Sequence, residues 1–141
     1  MTTVAVIGGG AVGGLFAAAA QGCGRDTVLC VRTQFPALEV RGDGAAYTIP
    51  VRIATDPARE QPADWVMLAT KAHDTAGAAP WFERLVGPGT IVAVLQNGVD
   101  HEARVRPFAS RAEGPASRTR SRVTRRIRQA GSVATFSLGG K

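Results

Sequence analysis

Thr3-Val4-Ala5-Val6-Ile7-Gly8-Gly9-Gly10-Ala11-Val12-Gly13-Gly14-Leu15-Phe16-Ala17-Ala18-Ala19-Ala20 reads as strand, tight glycine turn and helix. The first five residues are apolar or β-branched, as a buried parallel strand requires, and the alanine-rich run after Gly13 is long enough for three helical turns. Gly8, Gly10 and Gly13 stand at the spacing of a dinucleotide fingerprint. The first allows the turn, the second lets the backbone close on a pyrophosphate, and the third lets the helix pack on the strand it has just left. The helix then aims its unpaired N–H groups and positive dipole end at an anion over the turn. Gly8, Gly9, Gly10, Ala11, Val12 and Gly13 are therefore the expected phosphate-binding residues. A glycine-rich turn without a ligand has the same composition; the strand before it and the helix after it favour the nucleotide.

From that turn outward, 141 residues with 45% hydrophobic content fill one globular domain and not two. The apolar N-terminus lacks a basic n-region and is interrupted by glycines, which argues against a secretion signal. No stretch approaches the ~20 apolar residues of a membrane span. Cys23 and Cys30 have no metal-ligand spacing and read as free thiols of a reducing, cytoplasmic setting. The formal net charge of +6 is unevenly spread. Residues 1–108 hold nine basic and ten acidic side chains, net −1, whereas residues 109–141 hold eight and one, net +7. The basicity belongs to the tail and not to the domain.

Asp26 to Arg32 reads as a second strand, parallel to the first. The residue that closes it faces the adenosine ribose in this architecture, and here it is Arg32. A carboxylate there binds the 2′-hydroxyl of NAD; a guanidinium offers a planar fork and a fixed charge to a 2′-phosphate. NADP is the expected cofactor, against the plainer reading of a solvated strand-end arginine. Ala37 to Arg41 and Tyr47 to Ile53, joined by Gly42-Asp43-Gly44, predict a peripheral hairpin, with Pro50 arguing against a central strand. Trp65 to Thr70 is a continuous apolar run of the buried parallel type, ending at Lys71. Ligands of open parallel sheets bind at such carboxyl ends, so the Lys71 ammonium group is positioned to contact cofactor phosphate or ribose oxygens, against the plainer reading of a solvated loop lysine. His73 is read as a surface histidine. Asp74 to Val86 predicts a helix capped by Asp74 or Thr75 and interrupted at Pro80, with Trp81, Leu85 and Val86 packed inward. Thr90 to Leu95 predicts another buried strand, ending at Gln96-Asn97-Gly98, and Val99 to Arg106 a short helix.

Taken together, Gly8 to Gly13, Arg32, Lys71-Ala72-His73-Asp74 and Leu95-Gln96-Asn97-Gly98-Val99-Asp100-His101-Glu102 resemble the N-terminal domain of the ketopantoate reductases (2-dehydropantoate 2-reductases) over residues 1 to about 108. The resemblance implies an α/β, Rossmann-type parallel sheet with helices on both faces, and NADPH-dependent reduction of a 2-keto acid on the route to pantothenate and coenzyme A. It implies that Gly8 to Gly13 hold the pyrophosphate, Arg32 the 2′-phosphate and Lys71 the cofactor. Asn97 would lie near the nicotinamide and contact substrate.

The family's second, helical domain supplies a proposed general-acid lysine and a glutamate, and this sequence is expected to lack that domain. Lys141 is the one lysine after Lys71, and Glu113 the one acid after Glu102. No catalytic residue is therefore assigned, and a separately encoded helical domain is one expected partner. Residues 109–128, with Arg111, Arg118, Arg120, Arg122, Arg125, Arg126 and Arg128, read as an arginine-rich, disordered segment. Strand-like text resumes over residues 129–141, which fits a disturbed reading frame across Ser110 to about Arg126. Two further readings stand beside the reductase. One is an inactive cofactor-binding remnant; the other is nucleic-acid binding by the arginine-rich tail, disfavoured because no aromatic is interleaved to stack bases.

Overall fold

The computed structural model describes residues 1–42, 44–97 and 101–109. Strands β1 (Thr3–Ile7), β2 (Asp26–Cys30), β5 (Arg52–Ala54), β6 (Trp65–Leu68) and β7 (Ile91–Val94) form one parallel sheet in the order β5-β2-β1-β6-β7. Strands β3 (Leu38–Gly42) and β4 (Ala45–Ile49) form a separate antiparallel hairpin. The chain builds outward from β1 to one edge, then returns to the other side of β1 for β6 and β7. That reversal opens a crevice at the carboxyl ends of β1 and β6, where open parallel sheets bind ligands.

Alternation along β1 assigns its two faces. Val4 and Val6 join Leu29, Val31 and Leu38 under helix α1 (Ala11–Gly22), where Ala17 is buried. Ala5 and Ile7 join Val28, Cys30, Val66 and Leu68 on the other face. This second face is covered by helix α2 (Ala79–Leu85), through Trp81, Phe82 and Leu85, and by helix α3 (His101–Ala109), through Val105. Both faces being covered is why the strands read as unbroken apolar runs. The Rossmann-type architecture with helices on both faces is as the sequence implies. Fully burying each large side chain contributes about 1.5–3 kcal/mol, and Phe82 is the largest of those fully buried.

Three elements differ from the sequence reading. The hairpin's second strand stops at Ile49, and after Pro50 the chain enters the main sheet as β5, paired with β2. Pro50 has no N–H to extend the hairpin ladder, so it separates two strands instead of weakening one. Glu60, 5% exposed, accepts from Arg52 Nη1 and Nη2, one on each carboxylate oxygen, at 2.7 Å and anchors this edge. The helix expected over 74–86 is a 3-10 segment, Ala72–Ala78, followed by α2, with Pro80 in the first turn, where a missing N–H is harmless. Neither Asp74 nor Thr75 caps it; the Thr75 hydroxyl donates to the Ala72 carbonyl at 2.8 Å. Helix α3 continues through Pro107 to Ala109, and Gly98 to Asp100 lie outside the described residues. So do residues 110–141, with nearly all of the arginine-rich segment and the strand-like remnant.

Candidate cofactor site

A cleft of about 370 Å³ opens at the carboxyl ends of β1, β2 and β6. Its inner wall is the glycine turn. Gly8 has φ +112°, a backbone region that L side chains avoid, and a Cβ there would lie 2.9 Å from the Ala69 carbonyl carbon and the Thr70 nitrogen. Its N–H donates to the Cys30 carbonyl at 2.9 Å, which carries the sheet pairing into the turn. At Gly13 a Cβ would overlap the Gly8 carbonyl oxygen. Both glycines are thus demanded by the protein's own packing.

Gly10 is different. Its φ of −73° and ψ of −174° suit any residue, and a Cβ would meet no protein atom beyond its own chain neighbours within 4 Å. The space beside it is open both to the cleft and to a second opening of about 260 Å³ between α1 and β3. Gly10 is also the N-cap of α1, with no side-chain cap bond, and the first turn carries no acidic residue. The first N–H groups of α1 are left to an acceptor from outside the chain.

The cleft gathers some of the sequence-predicted residues and not others. Gly8, Gly9, Gly10, Arg32 and Lys71 line it, while Ala11 lines the second opening. Val12 is exposed and lines neither, and Gly13 is buried behind Gly8. Arg32 lies two residues past the end of β2, its side chain 87% exposed, and Lys71 begins the segment after β6. Asn97, beyond β7, is exposed and does not line the cleft. His73 and Asp74, neither of them a predicted site residue, complete the rim, and Trp81 lines the cleft from the α2 side while packing in the core. Cys30 lies at the bottom, where burial, reinforced by the Glu60 charge, pushes its thiol up to about 12, so it is neutral at pH 7. Cys23 is exposed, and both are free thiols.

The polar residue just past β7 carries structural weight that its place in the sequence does not announce. Gln96 donates to the Thr70 hydroxyl at 3.1 Å, the Lys71 carbonyl at 3.3 Å and the Thr75 hydroxyl at 3.0 Å, and accepts from Arg104 of α3 at 3.3 Å. This side chain ties the loop carrying Lys71 to the end of β7. The only hint in the sequence is a polar residue at a strand's carboxyl end. Among the described residues no helix is long and apolar enough to cross a membrane, and no cluster of His, Cys, Asp and Glu could hold a metal ion.

The sequence pattern of the family described as ketopantoate reductase PanE/ApbA matches residues 4–136. This chain belongs to the ketopantoate reductase family. The 2-dehydropantoate 2-reductase of Caulobacter vibrioides is 46% identical over 112 residues, covering 79% of this chain and 38% of that protein. The 2-dehydropantoate 2-reductase of Mycobacterium tuberculosis is 40% identical over 108 residues, covering 75% and 37%. Among solved structures, 2-dehydropantoate 2-reductase from Geobacter metallireducens superposes with a TM-score of 0.68 at 26% identity, covering 75% of this chain and 37% of that one. The chain thus spans under two fifths of the length of these ketopantoate reductases. The family is one of NAD(P)-dependent dehydrogenases.

Proposed function

We propose that this chain is the NADP-binding domain of a reductase that converts 2-dehydropantoate, a 2-keto acid, to pantoate in pantothenate and coenzyme A synthesis. The observation that carries the reading is the open space at Gly10, beside uncapped helix N–H groups and within the cleft that Arg32 rims. A pyrophosphate fits that chemistry, since it fills the volume a Cβ would take and accepts from the N–H groups. Arg32 then takes the 2′-phosphate, which makes NADP and not NAD the cofactor. Lys71 contacts cofactor oxygens, and the Asn97 amide, able to donate and accept, orients the nicotinamide and the substrate.

Bound NADPH supplies the hydride for the keto carbon. The proton for the developing alkoxide comes from a helical catalytic domain, acting as a partner to residues 1–108 in a cytoplasmic setting. The test is a fluorescence titration with NADPH and NADH. The wild-type chain binds NADPH more tightly, and Arg32→Ala removes that preference by weakening NADPH alone, about tenfold or more for a lost charge-assisted contact. Equal affinities for the two cofactors in the wild type would refute the 2′-phosphate reading.

A further inference from the structure

Among the described residues lining the cleft, Asp74 is the one carboxylate, and it stands amid Arg32, Lys71 and His73. Its Oδ2 lies 3.7 Å from Arg32 Nη2 and 3.5 Å from His73 Nε2. A negative charge in a site built for a phosphate opposes the ligand, so its position against Arg32 calls for a physical reason. We propose that Asp74 is a specificity-determining residue: an internal counter-anion of Arg32 that a 2′-phosphate must displace, and which thereby sets how strongly NADP is preferred over NAD.

The inference rests on the reading of Arg32 as the 2′-phosphate residue. In the apo chain the carboxylate partly neutralises the guanidinium. A nucleotide with a free 2′-hydroxyl leaves that pair in place, whereas a 2′-phosphate takes the guanidinium and faces the released carboxylate. Asp74 therefore acts on one cofactor and not on the other. The Arg32 side chain is largely solvated and its partner is 35% exposed, so the pair itself is weak and easily exchanged. The repulsion left behind acts through water over a few ångströms, and the expected effect is several-fold.

The probes are 2′,5′-ADP and 5′-AMP, which share the adenosine end and differ in the 2′-phosphate, titrated into the intact chain at low salt. Asp74→Asn, nearly isosteric, is expected to tighten 2′,5′-ADP about fivefold, leave 5′-AMP unchanged, and lose much of its advantage as added salt shortens the screening length. The gain should shrink in the Arg32→Ala background. Unchanged or weaker 2′,5′-ADP binding by Asp74→Asn, or an equal change for both probes, overturns the inference while the Arg32 reading stands. Should the folded wild type bind 2′,5′-ADP no better than 5′-AMP, the Arg32 reading and this inference fall together.

Discussion

At their amino ends β1 and β6 are closed by the protein itself; at their carboxyl ends the same two strands open onto groups that await a partner. Thr3 and Asp64, 61 positions apart, meet at the amino ends: the Thr3 N–H and hydroxyl donate to Asp64 Oδ2 at 2.8 and 3.0 Å, and the Asp64 N–H donates back to the Thr3 hydroxyl at 2.9 Å. At the carboxyl ends the space beside Gly10 holds no protein atom, α1 starts without a side-chain cap, and Arg32 and Lys71 rim the cleft. One end fixes register; the other leaves donors and positive charge for a ligand. The contrast separates stability from function in a sheet whose residues otherwise look alike. Amino-end substitutions should change melting alone, and carboxyl-end substitutions should divide according to whether the space they fill belongs to the protein.

Gly13 should be the most costly position to alter. An alanine there drives its Cβ into the Gly8 carbonyl oxygen, a backbone atom that has nowhere to go. Gly13→Ala should lose more than about 4 kcal/mol, the range of severe steric conflict, and show no cooperative thermal transition by circular dichroism. A wild-type melting curve would mean that the turn is not packed as described.

The smallest effect should be at the amino ends. The Thr3 N–H and hydroxyl hold the Asp64 carboxyl below its ordinary 3.8. Because the folded value lies below the unfolded one, the stability this group contributes is present above about pH 3.8 and lost as the pH falls through the folded value. Asp64→Asn should therefore melt lower at neutral pH, show a shallower fall in melting temperature below pH 4, and bind nucleotide as the wild type does. Melting curves across pH 2–7 check this, and an unchanged acid limb would remove Asp64 from the account.

What could be read from the sequence follows the range of the constraint. The β1–turn–α1 unit was legible because its requirements fall on neighbouring residues, and β6 because burial on both faces leaves an unbroken apolar run. Arg32 and Lys71 were legible because each follows a strand's carboxyl end. The division of the hairpin from β5 at Pro50 was not, since a proline announces a break without saying which sheet the next residues join. Gln96, the Thr3–Asp64 pair, the Arg52–Glu60 pair and the Arg32–Asp74 contact were hidden for a common reason. Each is made by side chains from separate elements, and no local pattern records which of them fold into contact. Asn97 was legible by the same rule, as a polar residue following β7, and it stands outside the lining that Gly8, Arg32 and Lys71 share.

The most direct test compares NADPH binding by the wild type and Gly10→Ala, with melting temperature measured on the same samples. The protein has no use for the space beside Gly10, so the variant should melt like the wild type while its affinity falls roughly tenfold or more, because the added methyl occupies the pyrophosphate's place. Unchanged NADPH affinity in an equally stable Gly10→Ala would contradict the account, for the opening at the glycine turn would then not be where the cofactor binds.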